Sequence, residues 1–392
     1  TFLNEATVIN EKAQELRRNG ADAVVVLIHQ GGQTAAPYIN DQSCPGLTGE
    51  ITRIIPRLSN VDVVISGHTH QEYICRDAST GILLTSAGLY GRMVTDIDLR
   101  IIPGKGVVTK SARTLPVLND LNTPSSVPAG YQILAADSAT QAIIDIYDAA
   151  TAGPLNEVRG YAAQTLSNCG RTESIEMPLG DVVADAYLAG YNSTNPSSPA
   201  MVAFTNPGGV RANVTPAVGG AVTYSALYTV APFGGSLIYK SLTGSQIKRL
   251  LEQQWESTNC SAKRLPDSNI CGRLLQPSGI RYTWDWSRGQ GQANGSGSLL
   301  TSVEVNHSGT WRPIVDSDFY GVITNSFVAT GGDNFSVFAE QEAAVDFGQT
   351  DLMALENYFM GYTSSAPLNL PSPRATCINC PPLSQRELSL CQ

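Results

Sequence analysis

Two apolar, β-branched runs, ADAVVVLIH at 21–29 and VDVVISGHTH at 61–70, each follow a stretch whose apolar residues recur at helical spacing. The first such stretch is VINEKAQELRRN (8–19), closed by Gly20, a residue suited to the left-handed position that ends a helix. The second is GEITRIIPRLSN (49–60). Runs this short and this rich in Val and Ile are the pattern of strands buried on both faces. Helix and strand in alternation mean α/β layering.

Downstream, ILLTSAG, MVTDIDLRII and GVVTKSARTL (82–114) predict short strands separated by turns. Residues 115–130 are rich in Pro, Asn, Ser and Asp and read as a linker, and YQILAADSATQAIIDIYDAAT (131–151) predicts one long helix. A second, α+β unit begins near Val158 with helices PLGDVVADAYLAGYN and SQIKRLLEQQWES and strands AMVAFTN and SLIYKSL. The tail from Ser364 is Pro- and Cys-rich and is expected to lie over the surface as irregular structure. The expected boundaries are 1–118, a linker with its helix at 119–155, a domain at 156–350 and a terminal segment at 351–392.

A formal charge of −9 argues against a nucleic-acid backbone as partner, and no apolar run reaches the roughly 18 residues of a membrane span. The eight cysteines lie in loop-like sequence, as disulfides of an oxidising compartment do. Cys260 with Cys271, which bracket a polar loop, and Cys44 with Cys75 are the expected pairs, and the Cys377–Cys380 CxxC reads as a tail disulfide before it reads as zinc. The chain is expected to be secreted or periplasmic. Sequons at Asn192, Asn213 and Asn334 matter only for a eukaryotic source. The chain opens on Thr1 with no signal-peptide pattern, so the expectation is that processing or truncation precedes it.

Three of the four histidines share one pattern: His29 ends the first run, and His68 and His70 end the second in GHTH. Strand C-termini in open α/β sheets present functional groups, and neutral imidazole suits zinc, manganese or iron. A lone histidine is more often a satisfied loop residue; three at paired strand ends favour ligands.

LIHQGG and SGHTH resemble the last ligand motifs of calcineurin-like metallophosphoesterases, and the 5′-nucleotidase branch fits best. The resemblance implies a four-layer αββα sandwich and metal ligation by His29 and His68. His70 takes a position where relatives of this branch often carry Asn or Gln. The family's Asp-x-His, bridging Asp and GNH(E/D) segments do not occur here. Three histidines cannot hold two divalent ions, so the chain is expected to contain only the later part of that domain, and an N-terminal fragment of the same protein becomes a candidate partner.

In the second unit NPGGVR (206–211) combines glycines that admit a ligand to the backbone with Arg211, a bidentate phosphate donor. APFGG sets Phe233 at a strand-to-turn junction, and SFVATGGDNF sets Phe327 before Asp333 across a double glycine. Two aromatics on separate loops can sandwich a base, and an acid can hold ribose hydroxyls. Singly, each motif is more often core packing, a surface charge or a turn. Jointly they resemble the C-terminal substrate domain of 5′-nucleotidases. That resemblance implies Phe233 and Phe327 on the base, Asn206 at its edge, Asp333 on the ribose and Arg211 on phosphate. Gly208 and Gly209 keep the turn open beside Pro207, and Arg171 resembles a further phosphate arginine. It also implies hydrolysis of a nucleotide such as AMP at two divalent metals, with the nucleoside swung about a hinge at 121–155 and no catalytic residue in this chain beyond the metal ligands. The alternatives are a nucleotide-binding module without catalysis, or a UDP-sugar hydrolase, 2′,3′-cyclic nucleotide phosphodiesterase or thiosulfohydrolase of the same superfamily. The paired Phe and Asp333 favour a nucleoside over a sulfur substrate.

Overall fold

The computed structural model describes residues 3–119, 127, 130–169, 176–256, 274–288, 298–340 and 343–380. Arg171, Cys260, Cys271 and Cys391 therefore lie outside the described residues. The chain divides into two compact units, Thr1–Asp145 and Ile146–Gln392.

The first unit opens on α1 (Glu5–Arg18), which starts ahead of its apolar pattern because Asn4 caps it, accepting from the Thr7 amide at 3.2 Å. β1 (Val25–Ile28) follows, then the single helical turn α2 (Ile51–Ile54), β2 (Val63–Ser66), β3 (Glu72–Arg76) and β4 (Leu83–Ala87). They form a sheet of order β1-β2-β4-β3, parallel except for β3. One face packs Val64, Tyr73, Cys75 and Leu84 under α1 and α2. The other packs Val63, Ile74 and Leu83 against the hairpin of β5 (Met93–Ile102) and β6 (Gly106–Pro116). The expected Cys44–Cys75 disulfide is present.

One sequence expectation fails at β1. It was to be buried on both faces, yet Val25 is 46% and Leu27 77% exposed, with Ile65 of β2 at 36% beside them. Leu27 pairs with Ile65 and Val25 with Val63, so all sit on the hairpin face. The hairpin covers that face over β3, β4 and the Val63 end of β2, and stops short of Ile65 and β1.

The long helix is α3 (Ser138–Leu155), and none of its residues is buried. In the second unit come β7 (Val158–Tyr161), α4 (Pro178–Thr194), β8 (Val202–Thr205), β9 (Ala221–Thr223), α5 (Tyr224–Val230), β10 (Ser236–Thr243) and α6 (Gly244–Glu252). Then follow β11 (Gln276–Ser278), β12 (Ile280–Asp285), β13 (Leu300–His307), β14 (Thr310–Pro313), β15 (Phe319–Asn325), the turn-length α7 (Ser326–Ala329), β16 (Val345–Thr350), α8 (Asp351–Phe359) and β17 (Ala375–Ile378). The central sheet runs β11-β8-β15-β10-β16. Its strands alternate: Val202, Phe204 and Val322 face a core with α6 and the Trp255–Trp284–Trp286 cluster, whereas Ala203 and Ile323 face α4, α5 and α8.

The tail departs from its expected irregularity. Residues 375–378 add a parallel strand to β12, completing the sheet β14-β13-β12-β17, and the Cys377–Cys380 disulfide closes the turn beyond it. Asn192, one of the sequons, binds both backbone groups of Ala200 through its side chain (2.8 and 3.1 Å) and closes the turn between α4 and β8.

Candidate functional site

Because β1 and β2 are parallel neighbours, His29 and the GHTH turn emerge at the same sheet edge. The rings of His29 and His68 meet edge to face with centroids 5.0 Å apart. The loops are sewn together from below. The Thr69 hydroxyl donates to the Gly32 carbonyl at 2.7 Å, the Tyr73 hydroxyl accepts from the Gly32 amide at 3.1 Å, and Ser66, 2.6 Å from the Tyr73 hydroxyl, donates to the Thr85 carbonyl at 2.9 Å. A Cβ at Gly31 would collide with the Thr69 side chain, so the two loops can approach this closely only through glycine.

His68 and His70 both hold left-handed backbone, φ 72° and 57°, which costs a non-glycine residue about 1–3 kcal/mol each. The structure brings His29 and His68 together but turns His70 toward Tyr90, ring centroids 6.0 Å apart. Among the described residues no group of three or more His, Cys, Asp or Glu converges as a metal would require. A catalytic zinc takes about three protein ligands and a structural one about four. Two imidazoles therefore do not by themselves make a metal centre.

The second cluster lies at the ends of β8 and β15. Asn206 follows β8, is 4% exposed, and leads into a tight Pro207–Gly209 turn. Its Nδ2 donates to Asp333 Oδ2 at 2.8 Å. A Cβ at Gly209 would stand 3.0 Å from Asn206 Oδ1, and one at Gly208 4.0 Å from Asp333 Oδ2, so this turn sits directly against the pair. Arg211 donates to the Gly208 carbonyl at 3.2 Å and lies 5.6 Å over the Phe233 ring. Asp333 takes left-handed φ 56° after Gly331, and a Cβ on Gly332 would strike the Phe327 ring at 2.7 Å. The two aromatics are exposed, Phe233 63% and Phe327 53%. Asn206, Gly208, Arg211, Phe233, Phe327, Gly332 and Asp333 thus form one contiguous surface, with apolar rings and a guanidinium around an amide–carboxylate pair.

Residues 154–340, which contain all seven, match the family model described as the 5′-nucleotidase C-terminal domain. Over those residues the chain carries a 5′-nucleotidase C-terminal domain. It is 30% identical over 305 residues to the trifunctional nucleotide phosphoesterase protein YfkN of Bacillus subtilis, covering 75% of this chain and 18% of that one. It is 24% identical over 383 residues to the 5′-nucleotidase of Bos taurus, covering 91% and 59%. The chain thus spans about a fifth of the first relative and less than two thirds of the second. Its fold is similar to the crystal structure of the 5′-nucleotidase precursor from Thermus thermophilus, with TM-score 0.63, 23% identity and coverage of 97% of this chain and 69% of that one.

Two further residues, which the sequence motifs do not single out, support this surface. Asn325 ends β15, 7% exposed, and donates through Nδ2 to Asn206 Oδ1 at 3.1 Å. An Asn two residues before a candidate Phe reads as an ordinary helix cap, which it also is. Asp351 clasps the Phe233-Gly234-Gly235 loop: its amide donates to the Gly235 carbonyl at 2.9 Å, and its carboxylate lies against Gly235. Phe233 itself follows a helix, α5, and not the strand that was expected.

Burial pushes the Asp351 carboxyl above the usual carboxylate range, against the lowering effect of the Leu352 and Gly235 amides. The nearby Tyr187 phenol is pushed up by burial and by Asp351. The folded state therefore binds the Asp351 proton more tightly than the unfolded chain does. Its stability contribution is full below the ordinary carboxylate pKa and is lost as pH rises through the folded value. The melting temperature of Asp351→Asn relative to wild type is expected to climb as pH rises from below the ordinary carboxylate range through the raised folded value. A difference that shrinks over that range in a thermal-melt series would rule the assignment out.

Proposed function

We propose that the second unit captures a ribonucleoside phosphate, with Phe233 and Phe327 on the base and Asn206 at its edge. Asp333 takes the ribose hydroxyls, and Arg211, joined by Arg171, takes phosphate. Gly208 and Gly209 let the ligand reach the backbone. The observation that carries this reading is the part-buried Asn206–Asp333 hydrogen bond flanked by two exposed aromatic rings and a guanidinium. Buried polar pairs specify orientation, whereas exposed rings beside them supply area that only a ligand would cover.

In the whole protein this unit would serve a secreted or periplasmic nucleotide hydrolase acting on substrates such as AMP. The chain's Cys44–Cys75 and Cys377–Cys380 disulfides accord with that location, as do relatives named a cell wall protein of Listeria monocytogenes and a snake venom 5′-nucleotidase. The first unit would be part of an αββα sandwich, continuing from the β1 edge, where Val25, Leu27 and Ile65 stand uncovered. His29 and His68, with His70 near by, would contribute donors to a two-metal centre (zinc or manganese) completed from outside the described residues.

A second reading is a nucleotide-binding module without catalysis, since among the described residues no cluster of three His, Cys, Asp or Glu gathers at His29 and His68. Calorimetric titration of the purified chain is expected to show saturable binding of AMP, weaker binding of adenosine and none of inorganic phosphate alone. No heat with either AMP or adenosine would falsify nucleotide capture. Release of phosphate from AMP after adding Zn²⁺ or Mn²⁺ would select the hydrolase for this chain, and binding without release would select the module.

A further inference from the structure

Three hydrogen bonds run in series beneath the nucleotide surface. The Val328 amide donates to Asn325 Oδ1 at 3.0 Å, Asn325 Nδ2 donates to Asn206 Oδ1 at 3.1 Å, and Asn206 Nδ2 donates to Asp333 Oδ2 at 2.8 Å. Each primary amide has one accepting end and one donating end, so either asparagine alone could point both ways. The series removes that freedom. A backbone N–H can only donate, so Asn325 must turn its oxygen to Val328 and its NH₂ to Asn206. Asn206 must then answer with its oxygen and send its own NH₂ to Asp333. An ionised carboxylate can only accept, which closes the series in the same sense. Both asparagines are buried, at 7% and 4% exposure, so water does not readily substitute for a wrong orientation.

We propose that Asn325 is a positioning residue for nucleoside selection. Through Asn206 it holds Asp333 as an acceptor facing the ligand; through its cap it holds the turn that carries Phe327. One side chain thereby couples the group that needs hydroxyl donors to the ring that needs a flat partner. The ligand class selected is one with a planar base and neighbouring sugar hydroxyls, in preference to the same base on a sugar without them. The proposal rests on the nucleotide-capture reading above.

Asn325→Asp tests it, because aspartate caps a helix as well as asparagine does and has nearly the same shape. The variant keeps the bond from Val328 but sets an acceptor against Asn206 Oδ1. Asn206 must then reverse, which turns its oxygen on Asp333. The readout is the ratio of affinities for AMP and 2′,3′-dideoxy-AMP, with thermal melts to verify folding. Wild type is expected to prefer AMP. Asn325→Asp is expected to bind AMP roughly tenfold or more weakly and to lose most of the preference, since orphaned buried polar groups carry the discrimination. Asn325→Ser keeps a cap oxygen and removes the donor to Asn206; it should lose the same preference, and it decides the matter if the aspartate variant does not fold. An unchanged ratio in a folded variant overturns the proposal. Failure of wild type to bind AMP at all overturns the nucleotide-capture reading instead.

Discussion

Alanine at both Phe233 and Phe327 is expected to abolish measurable AMP binding while the chain melts where the wild type does. The two effects separate because the rings are 63% and 53% exposed, so truncation removes little that folding buries. Surface substitutions away from caps and cores usually change stability by only about 0.5 kcal/mol either way. Stacking of a base on an aromatic is worth roughly 1–3 kcal/mol per ring. Removing both therefore costs about 2–6 kcal/mol of binding, a fall of some thirtyfold to more than ten-thousandfold. Loss of the Arg211–Phe233 contact adds roughly 0.5–1 kcal/mol for a partly exposed pair and releases the guanidinium from its platform. The singles should be unequal. Phe327 is seated on Gly332 and on a helix turn capped by Asn325, whereas Phe233 rides a loop held through Gly235. A preorganised ring loses less entropy on binding, so Phe327→Ala should cost more. Calorimetric dissociation constants beside thermal melts make the measurement. AMP binding within about threefold of wild type in the double variant would show that the rings are not the base platform.

What the sequence made legible is what short-range chemistry determines. Val and Ile runs after helical spacing announce the parallel strands of the first unit, and NPGGVR, APFGG and SFVATGGDNF announce loops that meet at one surface, because their glycines are demanded by close approach that the structure shows at Gly209 and Gly332. Legibility ends where a residue's role is set by a distant neighbour. Val25 and Leu27 look like core until the hairpin is seen to stop short of them. Residues 375–378 look like tail because pairing with β12 is a long-range event that Pro-rich flanks do not advertise. Asn325 looks like a cap, and its second bond reaches Asn206, 119 positions away. Phe233 was placed on the right loop but after the wrong element, since YSALYTV carries β-branched and aromatic residues that favour a strand, while the Thr223 side chain caps it as a helix by accepting from the Ala226 amide.

Arg374→Met is expected to be the most destabilising single change in the second unit. Arg374 holds the tail onto α4 and the β11 strand from within. Its side chain is 17% exposed, donating at 2.6 Å to Asp185 Oδ2, at 2.6 Å to the Pro277 carbonyl and at 3.3 Å to the Asp181 carbonyl. Its amide donates to Glu176 Oε1 at 2.9 Å, and the Ala375 amide follows to the same oxygen at 3.2 Å. Glu176 and Asp181 are wholly buried, and their charges and that of Asp185 act on the Arg374 guanidinium beside them. Removing one partner of a buried pair costs about 3–5 kcal/mol, because the remaining charge stays in low dielectric. For a unit of this size that is a fall in melting temperature of roughly 6–20 °C. Methionine retains the apolar stem's volume, which isolates the electrostatic loss from a packing loss. Two further readouts distinguish the cause. Cys377 pairs with Trp284 across β12 and β17, so loosening of the tail should change tryptophan emission before global unfolding. Asp185→Asn added to Arg374→Met should recover part of the lost stability, since it neutralises the carboxylate left facing Pro277 and Ser278, whose hydroxyl still binds it at 2.6 Å. AMP affinity below the melting transition should be retained in both variants, because the hydrogen bonds of this network run to α4, β11 and β17 and not to the loops of Asn206, Phe233 or Asp333. A double variant no more stable than Arg374→Met would mean that the arginine acts through packing, and the buried charge would lose its claim to hold the tail.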